Sequence, residues 1–133
     1  MIAVDTNVLI RYLTGDDPDQ YRAAHALLAT CRPDRPGFVA REVLAEVMWT
    51  LAAAYQGPRA GLIAALEGLL GLPLLRIEDA DRVGACLAAM KKGTGDFADL
   101  MILAAARDAG CDTLYTFDRK LARQDGATLL ETA

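Results

Sequence analysis

Short apolar runs alternate with helically spaced apolar residues along most of this chain. Ile2-Ala3-Val4 is such a run, and it stops at Asp5-Thr6-Asn7. That predicts a buried strand followed at once by a helix over Val8 to Leu13, with Thr6 or Asn7 available as its cap. Gly15-Asp16-Asp17-Pro18 punctuates, and a second helix is expected from Asp19 to Ala29 with Pro18 near its first turn. Gly37-Phe38-Val39-Ala40 suits a second strand. From Arg41 to Tyr55 the apolar positions Val43, Leu44, Val47, Met48 and Leu51 keep a helical period.

Gly57-Pro58 breaks that helix, and another is expected from Arg59 to Leu70. A third strand follows at Leu74 to Ile77. Asp79 is placed to cap a helix running to Lys91, whose basic end suits the helix dipole. After Gly93-Thr94-Gly95, Asp96 opens a helix to Ala109 that Gly110 closes. Thr113 to Thr116 is a fourth strand, Asp118 to Arg123 a short helix, and Ala127 to Leu130 a last strand. Strands alternating with helices predict an α/β layer architecture with a mostly parallel sheet.

The 133 residues fit one domain, 1–133, with a hydrophobic fraction of 53% and no repeats or linkers. No basic n-region precedes the first apolar run and no apolar stretch approaches a membrane span, so a cytoplasmic protein without membrane attachment is expected. Cys31, Cys86 and Cys111 are odd in number and set among apolar residues, which predicts reduced core thiols. The one histidine, His25, lies on the second helix as a surface or packed residue, so His-based zinc and Ser-His-Asp schemes lack their parts. A balance of 14 basic against 18 acidic residues excludes a generally basic nucleic-acid coat protein.

The excess acid falls at informative places. Ligands of open α/β sheets gather beyond the carboxyl ends of strands. Asp5 and Asp118 stand directly at two such ends, Asp96 and Asp99 at a helix start, and Glu42 and Glu46 one turn apart on the helix after the second strand. Each has an ordinary structural reading: Asp96 and Asp118 as caps, Asp99 favouring a helix dipole, Glu42 and Glu46 as solvated positions. Asp5 has no obvious structural task. Carboxylates converging on one crevice would repel, and a hard divalent cation resolves that conflict. The residues by themselves therefore point to an acidic metal site.

At these same residues the chain resembles the PIN-domain proteins, specifically the VapC-type toxins of prokaryotic toxin–antitoxin pairs. The resemblance rests on four segments in the family's order. They are Val4-Asp5-Thr6-Asn7-Val8-Leu9, Glu46-Val47-Met48-Trp49, Gly95-Asp96-Phe97-Ala98-Asp99-Leu100-Met101-Ile102 and Thr116-Phe117-Asp118. It implies a three-layer α/β/α sandwich and a metal-dependent endoribonuclease that cuts RNA phosphodiesters with a Mg2+- or Mn2+-activated water. The acidic quartet would be Asp5, Glu46, Asp99 and Asp118, both catalytic and metal-binding. Asp96 would be an accessory acid, and Thr6, Asn7 and Thr116 would support the carboxylates through hydrogen bonds.

RNA phosphate contacts are expected from Arg11, Arg41, Lys91, Lys92, Arg119 and Lys120. The resemblance further implies a VapB-type antitoxin as partner and a homodimer. Tyr12, Tyr55 and Trp49 could contribute an apolar receiving surface, although core packing is the expected role of Trp49. Two other readings compete. One is a module that binds RNA or antitoxin without cutting. The other is a haloacid-dehalogenase-like phosphatase, which needs a second aspartate where this chain has Asn7. Setting the quartet aside leaves 14 of the 18 acidic residues, equal to the 14 basic ones.

Overall fold

A computed structural model describes residues 1–132. By its internal contacts the chain divides into two units, residues 1–84 and residues 85–133. The first unit begins with strand β1 (Ile2–Ala3), helix α1 (Thr6–Leu13) and helix α2 (Pro18–Ala29). Strand β2 (Gly37–Val39), helices α3 (Arg41–Ala53) and α4 (Arg59–Leu70), and strand β3 (Leu75–Ile77) complete it. The strands form one parallel sheet in the order β1-β2-β3, with Ile2 opposite Gly37 and Gly37 opposite Leu75. Parallel neighbours require crossovers, and each connection here carries a pair of helices.

Helix α5 (Ala80–Lys92) runs across the boundary between the units. The second unit continues with helix α6 (Phe97–Asp108), strand β4 (Leu114–Thr116), a 3₁₀ turn at Leu121–Arg123 and strand β5 (Ala127–Leu129). β4 and β5 pair in parallel, Leu114 opposite Ala127. Every pairing between named strands is thus parallel, as an α/β chain should have it. Gly110, at φ +83°, ends α6 in the left-handed region that glycine enters without a Cβ clash.

Helix starts show why element ends differ from the expected ones by a residue or two. Asp5, in extended conformation, caps α1: its carboxylate accepts from the Thr6 N–H at 2.7 Å and its carbonyl from the Leu9 N–H at 3.4 Å. The helix therefore starts at Thr6, and neither Thr6 nor Asn7 is the cap. Asp17 caps α2 by accepting from the Gln20 N–H at 3.1 Å, which leaves Pro18 at the first helical position. Asp79 directly precedes α5 and its carbonyl accepts from the Val83 N–H at 3.0 Å, while its carboxylate pairs with Arg41 and with Arg82 and its backbone takes a positive φ of 52°.

In the first unit α1 packs on α2 and α3, and α3 on α4. Leu9, Val39, Leu44 and Val47 are sealed from solvent at the centre of this packing. Phe97, Leu87 and Leu103 are equally buried in the second unit. Three sequence expectations fail here. Both residues of β1, Ile2 and Ala3, are exposed, so it is not the buried strand that its apolar run predicts. Cys111 is exposed, because it follows the left-handed turn at Gly110, while Cys31 and Cys86 are buried thiols. Trp49 is also exposed rather than packed in the core. Leu9→Ala should cost about 2–5 kcal/mol in a urea unfolding experiment, whereas Ile102→Ala, at a half-exposed side chain, should cost less than about 0.5 kcal/mol.

Candidate functional site

Of the predicted acids, Asp5 and Glu46 lie in the first unit. Asp5 stands at the turn from β1 into α1, fixed by the capping bond described above. That bond gives Asp5 the structural task the sequence did not reveal. It occupies part of one carboxylate and leaves further acceptor sites on the two oxygens. Glu46 lies exposed on α3, and the Thr6 hydroxyl donates to its Oε1 at 3.1 Å. Thr6 therefore orients Glu46 and at the same time supplies the N–H that Asp5 accepts. Asn7 lies beside Asp5, exposed, on the wall of a cleft of about 400 Å³. Val8, Arg11, Ala23 and Leu27 also line that cleft, which lies against α1 and α2.

The remaining acids lie in the second unit. Asp96 occupies the N-cap position of α6, yet its side chain makes no capping bond. It faces Lys120 instead, Oδ1 to Nζ 3.6 Å. Asp118 does cap: its Oδ1 accepts from the Lys120 N–H at 2.8 Å and the Leu121 N–H at 3.2 Å. The Thr116 hydroxyl in turn accepts from the Asp118 N–H at 3.0 Å, which fixes the approach of the loop. Asp99, one turn into α6, has its proton affinity raised above the ordinary aspartate value. Burial is the larger cause, followed by the charges of Asp96 and Asp118, and Lys120 opposes them.

Gly95 holds the backbone before this group tightly. A Cβ there would stand 2.8 Å from the side chain of Leu100, itself buried. The mutual repulsion at Asp99 is what a cation would relieve, and hard oxygen donors are the kind that magnesium or manganese takes. Among the described residues no three acidic, histidine or cysteine groups stand as a ready ligand set. Magnesium does not require one, since it commonly binds through one or two carboxylates and keeps several waters. The donor chemistry therefore fits a divalent cation.

The basic residues divide. Arg11 is committed within its unit: Nη1 lies 3.0 Å from Asp16 Oδ1 and 3.2 Å from the Tyr55 hydroxyl, and Nε donates to Gln20 at 2.7 Å. Tyr55 donates to the other oxygen of Asp16 at 2.7 Å, which with Thr14 and Arg11 holds that carboxyl below its usual pKa. Arg41 is likewise committed, to Asp79, Glu78 and Glu42. These two guanidiniums tie elements together, and phosphate would have to compete with carboxylates for them. Lys91, Lys92, Arg119 and Lys120 are exposed. His25 is packed, its Nε2 3.1 Å from the Tyr12 carbonyl and its ring between Tyr12 and Tyr21.

Sequence reasoning missed the Asp16–Tyr55 pair, which is separated by 39 residues and carries no local signal. It also missed the exposure of Trp49, for which a signal existed. At 100° per residue, Leu44, Val47, Met48 and Leu51 fall within an arc of about 100°, and Trp49 lies outside it.

A PIN domain family model matches residues 2–127. The chain belongs to the PIN domain family, whose fold is an α/β/α arrangement around parallel strands. Comparison with curated proteins gives no match. Among solved structures it is similar to VapC20 of Mycobacterium tuberculosis, described as a toxin cleaving the sarcin–ricin loop. The identity is 24% and the TM-score 0.47, with 92% of this chain and 93% of that one covered.

Because folded Asp99 holds its proton more tightly than the unfolded chain does, its ionisation works against folding at neutral pH. That penalty fades as pH falls through the raised pKa. Asp99→Asn should therefore raise the melting temperature at neutral pH, and the gain should shrink in acid. Thermal scans of both proteins from neutral pH to pH 4 check it; an equal gain at every pH would contradict it.

Proposed function

We propose that this chain is a metal-dependent endoribonuclease, the toxin of a VapBC-type toxin–antitoxin pair, acting in the cytoplasm as a single PIN domain over residues 1–133. The observation that carries the proposal is the carboxylate of Asp99, held partly buried between the charges of Asp96 and Asp118 in a PIN family chain. A group so placed is poised to bind a cation. Asp5, Glu46, Asp99 and Asp118 are the proposed ligands, with Asp96 as accessory acid and Mg2+ or Mn2+ as the ion. When bound, the ion supplies polarisation of a phosphodiester and lowers the pKa of an attacking water.

The chain's own residues do the rest. Thr6 holds Glu46 through Oε1, and the Lys120 and Leu121 N–H groups hold Asp118 through Oδ1. These bonds fix the carboxylates before substrate arrives, so little reorganisation is needed during reaction. The raised proton affinity of Asp99 suits it to take the proton from the attacking water. Asn7, beside Asp5, would support the carboxylates through hydrogen bonds. Phosphates would meet the exposed Lys92 and Arg119 in preference to Arg11 and Arg41, which are held by carboxylates, and the exposed Lys91 and Lys120 are further candidates. A VapB-type antitoxin as inhibitor and a homodimer complete the reading.

The test is RNA cleavage by purified, antitoxin-free protein with magnesium, and its loss with a chelator. Asp5→Asn is the informative variant, since asparagine caps a helix about as well as aspartate and the fold should survive. Cleavage should drop about 100-fold or more. Thr6→Val should cost about 10–100-fold, the usual loss when an orienting hydrogen bond is removed. Cleavage that persists in chelator or in Asp5→Asn would overturn the proposal.

A further inference from the structure

Helix α3 turns one large apolar side chain to solvent, and that residue is the chain's single tryptophan. Trp49 is 70% exposed, and it is the only large hydrophobic residue of α3 that is exposed. It stands three residues after Glu46, so the two Cβ atoms are about 5–6 Å apart on one face of the helix. Helical side chains lean toward the N-terminal turn, which carries the indole toward Glu46 rather than away from it. The neighbours on this face are small: Ala45 is half-buried, and Ala52 and Ala53 are exposed. Nothing bulky covers either side of the ring on its own helix.

One indole flanked on its helix by alanines supplies little apolar surface for a protein interface. A stable interface buries about 800 Å² per partner around a close-packed centre, several times what one tryptophan supplies. A nucleobase needs no more than one aromatic face. The acidic charge of Glu42 and Glu46 on this face also argues against attraction through phosphates alone, and stacking does not depend on charge sign. We propose that Trp49 is a stacking platform for an unpaired base of the RNA, which positions the strand beside Glu46. This rests on the nuclease reading for its substrate class, and Trp49 acts as a positioning residue: it takes no part in proton or phosphoryl transfer.

The single tryptophan makes the test direct, because all indole emission comes from position 49. The Asp99→Asn protein in magnesium is titrated with a short single-stranded RNA, which it would leave uncut, and separately with the same strand lacking bases. Binding is followed independently by anisotropy of a labelled strand. Base-bearing RNA should quench and shift Trp49 emission, and the abasic strand should not. In the otherwise unaltered protein, Trp49→Ala should raise the KM for RNA roughly 5- to 100-fold with kcat largely kept, and Trp49→Phe should recover much of it.

RNA that binds by anisotropy without changing the emission overturns the proposal and leaves the nuclease reading intact. So does Trp49→Ala cleaving with unaltered KM, or emission that is already blue-shifted and follows protein concentration, which would mean a second copy covers the ring. RNA that fails to bind overturns it too. Quenching by RNA without any cleavage by the unaltered protein upholds stacking and removes the nuclease reading.

Discussion

The part-burial of Asp99, with the charges of Asp96 and Asp118 added to it, is the constraint on the acidic group of the second unit. Asp99 meets both burial and the charges of Asp96 and Asp118, and each neighbour is steadied differently. Asp118 is tied to two backbone N–H groups, which fixes its direction. Asp96 has Lys120 nearby, an exposed pair worth little in stability. Asp99 is left with the unfavourable balance. A group placed at a cost to folding is what the proposed role of Asp99 in holding a cation would require.

The first unit holds its two acids through one threonine. Thr6 gives its backbone N–H to Asp5 and its hydroxyl to Glu46, so a single residue at the start of α1 sets two acids that are 41 positions apart in sequence. Capping and ligation use the same geometry, an acid at the junction of strand and helix. The capping interpretation of Asp5 and the functional one are therefore not rivals. A cap stops the carboxylate from turning, and that is also what a ligand requires.

Most of the fold was legible because it depends on period and punctuation, which are local. Every element predicted from the pattern is present, and α4 has the predicted bounds. The ends that moved did so where an aspartate side chain, rather than the apolar period, decided the start of a helix. What sequence could not show was pairing at a distance. Arg11 and Arg41 look like free cations until Asp16, Tyr55 and Asp79 are seen around them. Trp49 differs for another reason: its residue type favours a core, and its helical position does not. The wheel sets it opposite Leu44, Val47 and Leu51, and exposure follows from that alone.

The acidic balance of the whole chain also takes on a more definite meaning. At −4 overall, and with Arg11, Arg22, Arg41 and Arg82 all engaged by carboxylates, the protein has little spare positive charge to draw in a polyanion. On the proposed reading, attraction would have to be short-ranged: a cation among the acids, a few exposed basic residues, and one exposed ring. Binding of that kind favours strands whose bases are already unpaired, because a duplex must first be opened before a base can stack on protein. It would also make affinity less dependent on salt than in a protein that binds by phosphate contacts alone. Selectivity for unpaired RNA would then arise from the very shortage of positive charge that first seemed to argue against a nucleic-acid substrate.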